Sequence, residues 1–168
     1  RNLGSSTDIP DIGNSQTVVV EYSSPNIAKH FGIGHLRSTI IGQALYNLHK
    51  VLGYKTIGDN HLGDWGTQFG KLLYMIDKYG LTDFDIDKLE DIYIEFHKLA
   101  ENDETLENEA RRWFKRLEGG DKNSREIWQK CIQISLREFN RVYDLLEVKV
   151  DNACGESFYE DKMPTIIK

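Results

Sequence analysis

The fold is decided by Thr17-Val18-Val19-Val20-Glu21-Tyr22-Ser23-Ser24-Pro25-Asn26-Ile27-Ala28-Lys29-His30-Phe31-Gly32-Ile33-Gly34-His35-Leu36-Arg37-Ser38-Thr39. It divides into three parts. Thr17 to Tyr22 is a β-branched apolar run of strand length, the pattern of a strand buried on both faces. Ser23 to Gly34 is rich in Ser, Pro, Asn and Gly and reads as a turn. From His35 the apolar residues Leu36, Ile40, Leu45, Leu48 and Leu52 fall at helical spacing. Strand, glycine-bearing loop and helix N-terminus in that order place free backbone N–H groups and about half a positive charge at the loop's mouth. That is a site for phosphate.

The loop is not of the G-x-x-x-x-G-K-[ST] kind, because no lysine follows its second glycine. Nor is it G-x-G-x-x-G, because Arg37 stands at the third glycine position. A histidine, His35, follows Gly34 directly. Gly34-His35-Leu36-Arg37-Ser38 resembles the signature of class I aminoacyl-tRNA synthetases. The flanking Glu21 to Lys29, the extension to Gly42, and the downstream block Asn60-His61-Leu62-Gly63-Asp64-Trp65-Gly66-Thr67-Gln68-Phe69-Gly70 are similar to arginyl-tRNA synthetases. The resemblance covers the chain from Thr17 onward. In one respect the sequence departs from it. The family motif has His-x-Gly-His preceded by Pro-Phe; here Gly32 occupies the first histidine position and His30 the proline position, which leaves His35 for the usual role.

The resemblance implies an α/β fold: the first half of a Rossmann-like parallel sheet with a helical insertion. Residues 1–16 read as a linker or loop from a preceding domain, 17–81 as the first half of the nucleotide-binding domain, 82–147 as the insertion and 148–168 as a truncated return. Helices are expected at about His35–Leu52, Thr67–Tyr79, Asp87–Ala100, Glu104–Leu117 and Ser124–Leu146. A second parallel strand is expected at Tyr54–Gly58, and Val148–Val150 is a candidate third. Trp113, Phe114, Trp128, Phe139 and Tyr143 are read as core aromatics rather than stacking platforms.

The family reaction joins L-arginine to ATP as an aminoacyl-adenylate, releases pyrophosphate and passes the acyl group to tRNA(Arg). The protein has to hold the reactants and stabilise charge on the phosphoryl oxygens. The resemblance assigns His35 and Gly34 to catalysis, and Lys29, Gly32, Gly34, His35 and Ser38 to ATP. Arginine binding falls to Glu21, Ser23, Asn26, Asp64 and Gln68. Glu21 stands where strand side chains face the crevice of an open α/β sheet, and a carboxylate buried there calls for a cation. That cation is the ligand's guanidinium or a basic residue of the chain itself. Asp64, Trp65 and Gln68 either line the pocket, fix the tRNA end or support the loop from behind. Ser38 reaches either a phosphate or its own backbone. His61 is read as structural. No metal site is expected; Mg²⁺ comes with ATP.

With 39% apolar and 29% charged residues the chain is an ordinary globular sequence, which argues against disorder. A net charge of -6 excludes a generic polyanion binder. No apolar run is long enough to span a bilayer, so no membrane partner is expected. Cys131 and Cys154 fit no zinc spacing and read as reduced cysteines of a cytosolic protein. The resemblance further implies a cytoplasmic enzyme, monomeric in its full-length form, of which these residues are a fragment that is weak or inactive alone. No Lys-Met-Ser-Lys-like loop is present in the sequence. Two other readings share some features: another HxGH nucleotidyltransferase, and a non-catalytic synthetase-derived binding module.

Overall fold

The computed structural model describes residues 9–166. Part of the expected 1–16 linker therefore lies outside the described residues. The chain opens with strand β1 (Thr17–Glu21), crosses through helix α1 (Ile33–Val51) and returns in β2 (Lys55–Asp59). The two strands pair in parallel, from Thr17 opposite Lys55 to Glu21 opposite Asp59. The chain continues through α2 (Thr67–Tyr79), α3 (Ile86–Ala100), α4 (Thr105–Glu118) and α5 (Lys122–Leu145). A 3₁₀ helix, Glu156–Lys162, and a single helical turn, Met163–Ile166, close the described residues.

Local chemistry explains the boundaries. α1 begins two residues earlier than expected because extended Gly32 caps it, and the Leu36 N–H already bonds to the Gly32 carbonyl. α2 ends at Gly80, whose φ of 61° is left-handed and suits glycine. α3 and α5 start behind aspartates: Asp85 accepts the Lys88 N–H at 2.9 Å, and Asp121 accepts both the N–H and the hydroxyl of Ser124.

Two expectations fail. Among the described residues β1 is not buried on both faces; its residues alternate, with Val19 61% exposed. Among the described residues α1 covers the face that carries Tyr22, where a Cβ on Gly42 would overlap the Tyr22 side chain. Val148–Val150 is not a strand either. The Asp151 carboxylate takes the Gly58 N–H at 2.8 Å, a donor that a third strand would need. Only just past the segment does the chain meet β2, at a single parallel bridge from Asp59 to Asn152.

One apolar core runs through the described residues. Its centre is α2, where Phe69, Leu72, Leu73, Met75 and Ile76 are fully buried. α3 contributes Leu89, Ile92 and Phe96; α4 contributes Ala110, Trp113 and Leu117; α5 lays down Cys131, Phe139 and Tyr143. The expected core aromatics are buried or, for Phe114, partly buried. Cys131 is a free thiol that burial pushes up to about 12. α2 and α4 approach so closely at Gly70 that a Cβ there would overlap the Ala110 carbonyl. Backbone cannot swing aside as a side chain can. Gly70→Ala is therefore expected to cost about 1–3 kcal/mol. It should raise amide hydrogen exchange in α2 and α4 before it does so in β1 and β2.

Candidate active site

The site is built on the loop between β1 and α1. Three of its residues, none a glycine, have left-handed backbone: Ser23 at φ 74°, Ser24 at 48° and Ala28 at 64°. Such conformations cost of order 1 kcal/mol or more each and persist only where surrounding contacts impose them. Here buried polar groups do so. The Ser23 hydroxyl meets that of Tyr143 at 2.7 Å, the Ser24 N–H reaches Asn60 Oδ1 at 3.0 Å, and the Ala28 N–H reaches Ser135 Oγ at 2.8 Å.

The loop delivers an open helix N-terminus. The N–H groups of Ile33, Gly34 and His35 precede the first intrahelical bond. Gly32 is extended, and a Cβ at either Gly32 or Gly34 would meet nothing within 4 Å. Neither backbone strain nor packing requires glycine at these two positions. Gly34 in the first turn even costs helix stability. What the two glycines provide is room against open amides.

His35 stands on that turn. Its Nδ1 accepts the Gly32 N–H at 3.3 Å, so in the neutral ring the proton sits on Nε2 and is free to be donated. Phe31 lies against the ring at 5.6 Å between centroids. Ser38 turns back on its own helix, donating to the His35 carbonyl at 3.0 Å, as does Thr39. His30 points away from His35: its Nε2 lies 2.7 Å from Asp87 Oδ1 and 3.6 Å from Glu90 on α3.

Two concavities flank the loop. One, of about 470 Å³, is lined by Glu21, Gly34, Arg37 and Ser38 together with apolar side chains of β1 and α1. Glu21 is exposed rather than buried, and bonds to the Ser24 hydroxyl. The second, of about 310 Å³, brings together Asn26, Lys29 and Gln68 with Tyr93, Leu72 and Glu156. Lys29 lies over the Tyr93 ring at 4.8 Å, and Gln68 donates to the Trp65 carbonyl at 2.6 Å. Tyr93 and Glu156 were not singled out from the sequence. Glu156 was legible as a carboxylate directly after the Gly155 turn; Tyr93 gave no signal beyond its helical spacing. Neither Glu21 nor Glu156 has a cationic side chain within 4 Å among the described residues.

Ser23 and Asp64 line neither concavity. Ser23 is 4% exposed, with its hydroxyl taken by Tyr143. Asp64 is 6% exposed and accepts the Ser157 N–H at 2.8 Å and the Ser157 hydroxyl at 2.6 Å. A Cβ on Gly155 would run into the same carboxylate. The Asp64 carbonyl accepts the Trp128 Nε1–H at 2.8 Å. Asp64 thus ties the 3₁₀ helix, and with it Glu156, to the β2–α2 turn. His61 is structural here, with its Nδ1 2.8 Å from the Cys154 carbonyl.

Residues 3–168 match the family described as tRNA synthetases class I (R), catalytic domain. The chain belongs to that family. It is 52% identical over 162 residues to the arginine–tRNA ligase of Clostridioides difficile (strain 630), an alignment that covers 94% of this chain and 29% of that protein. The corresponding ligase of Clostridium botulinum (strain Alaska E43 / Type E3) is 50% identical over 168 residues, with 98% and 30% covered. The chain therefore spans less than a third of the length of these relatives. Among solved structures, the arginyl-tRNA synthetase of Plasmodium falciparum superposes with a TM-score of 0.77 at 34% identity, covering 96% of this chain and 28% of that one. The Thermus thermophilus arginyl-tRNA synthetase, at 22% identity and a TM-score of 0.67, shares the fold over 90% of this chain. The α/β class expected from the sequence agrees with these structures. Among the described residues no helix is long and apolar enough to cross a membrane.

The Asp64 contacts make a direct prediction. Asp64→Ala should leave the core intact while amide exchange at Ser157 and through the 3₁₀ helix accelerates about fivefold or more, the effect of losing two buried acceptor contacts.

Proposed function

We propose that the whole protein activates L-arginine with ATP and transfers it to tRNA(Arg) in the cytoplasm, and that this chain supplies the first half of its catalytic domain with a helical insertion at 82–147. The observation that carries the proposal is the open, glycine-bearing N-terminus of α1, which shares a concavity with Glu21, a carboxylate without a cationic partner among the described residues.

In the first step an oxygen of the arginine carboxylate attacks the α-phosphorus. The bond from that phosphorus to the bridging oxygen breaks, and pyrophosphate leaves with the electron pair. Charge collects on the phosphoryl oxygens. The amides of Gly34 and His35, the α1 dipole and the Nε2–H of His35 are the donors for it. Gly32 and Gly34 keep the approach free of Cβ atoms. Lys29 is the loop's cation for the phosphates, reached from the neighbouring concavity, and Ser38 borders the cavity beside α1. Mg²⁺ enters on the nucleotide.

The guanidinium is read by charge. It is planar and permanently protonated, so its site needs carboxylates. Two carboxylates are available, Glu21 in the concavity beside α1 and Glu156 in the one with Asn26 and Gln68, whose amides face the substrate's polar groups. Ser23 and Asp64 act behind these residues, Ser23 by shaping the turn and Asp64 by anchoring Glu156.

The test is pyrophosphate exchange by the full-length protein with each amino acid, with and without tRNA. Exchange with arginine alone, reduced about a hundredfold or more in kcat by His35→Ala, is the expected result. No exchange with any amino acid by a folded protein that still binds tRNA would replace the proposal with a binding module.

A further inference from the structure

Tyr143 lies on α5, in the helical region, more than a hundred residues from the loop it touches. Its hydroxyl is buried between two partners: Ser23 Oγ at 2.7 Å and Asn60 Nδ2 at 3.0 Å. One proton direction follows from the donor inventory. Asn60 Oδ1 accepts the Ser24 N–H, so the Asn60 amide nitrogen faces Tyr143 and donates to it. Nδ2 cannot accept. The second hydrogen bond joins the Tyr143 and Ser23 hydroxyls, and either can donate it. A single hydroxyl thus orders both left-handed residues at the start of the loop, Ser23 directly and Ser24 through Asn60.

The ring of Tyr143 reaches the other end of the loop. It meets Phe31 edge-on at 5.7 Å, and Phe31 in turn lies against His35 at 5.6 Å. One helical turn away along α5, Phe139 also packs on Phe31. Two turns away, Ser135 accepts the Ala28 N–H and gives its own proton to the Cys131 carbonyl. One stripe of α5 therefore holds the loop's beginning, middle and end. Burial raises the Tyr143 hydroxyl above its ordinary range, which keeps it protonated.

We propose that Tyr143 is a positioning residue: through Ser23 and Asn60 it sets the loop geometry in which Glu21, Asn26 and His35 meet their substrates, which makes the helical region a working part of the site. This rests on the reading of the loop as a substrate-binding element. The ring and the hydroxyl are separable. Tyr143→Phe keeps the packing on Phe31 and removes only the hydrogen bonds to Ser23 and Asn60.

The experiment uses the full-length protein with two variants, Tyr143→Phe and Asp121→Ala. Asp121→Ala removes the N-terminal cap of the same helix without touching the loop. Two readouts are taken: kcat/KM for arginine in pyrophosphate exchange, and amide exchange across residues 22–28 and α5. For Tyr143→Phe the expected result is a loss of about five- to a hundredfold in kcat/KM, the range for leaving buried polar partners unsatisfied. Ser24 and Ala28 should lose protection while α5 keeps its own. Asp121→Ala should lower thermal stability yet leave kcat/KM within about twofold, as a surface cap remote from the loop would. Unchanged protection at Ser24 in folded Tyr143→Phe, or an equal loss of kcat/KM in Asp121→Ala, would overturn the proposal. If the unmodified protein shows no exchange with arginine, the substrate reading fails, and the protection of Ser24 and Ala28 still decides whether Tyr143 sets the loop.

Discussion

The structure depends on one constraint: the chain must leave the end of β1, turn through three left-handed residues that are not glycines, and arrive at α1 with its first amides open. Each left-handed residue alone is disfavoured. The turn holds because buried hydroxyls and an amide answer its backbone and side-chain groups from α5 and from the end of β2. A buried polar network stabilises only when its members are satisfied, so this one specifies a single loop conformation rather than adding much net stability. The α1 dipole and the free amides are useful to an anionic ligand only because the loop is held in that way.

The rest of the architecture serves the same end. α1 lies on one face of the strand pair, close enough at Gly42 to contact Tyr22, and the Tyr22 hydroxyl donates to the Lys149 carbonyl. Burial and neighbouring tyrosine and aspartate groups push that hydroxyl up to about 12, so it stays a donor throughout the neutral range. α2 forms the apolar centre against which α3, α4 and α5 pack. At the far side Arg125 grips Glu160 with both ends of its guanidinium, at 3.0 and 2.6 Å, and lies over Trp65 at 5.0 Å. Together with the Asp64–Ser157 contacts, that grip sets the 3₁₀ helix from which Glu156 faces the smaller concavity. The two parts of the chain share one core, and each supplies residues around the loop.

Much of this was legible in the sequence because it is locally encoded. The Val18–Val20 run, the glycines before His35 and the helical spacing of the later segments give β1, α1 and the helices to within a few residues. Whatever depends on distant partners was not legible. The sequence offers Ser23 and Asp64 as ligand contacts; that the Ser23 hydroxyl meets Tyr143 and the Asp64 carboxylate holds Ser157 depends on residues far along the chain. Val148–Val150 has the composition of a strand, but one aspartate just beyond it intercepts the donor that pairing requires. β1 has the composition of a strand buried on both faces, yet among the described residues only α1 covers it. Sequence periodicity reports the preference of a segment, whereas side-chain capture of a backbone group is decided by the tertiary neighbour.

On the proposed function, carboxylates flanking the loop recognise a permanent positive charge on the substrate. Calorimetric titration of the full-length protein with arginine and with citrulline, its neutral near-isostere, tests this most directly. The account predicts that citrulline binds at least about a hundredfold more weakly, since the carboxylates would be left facing an uncharged urea group. Equal affinity for the two would contradict it.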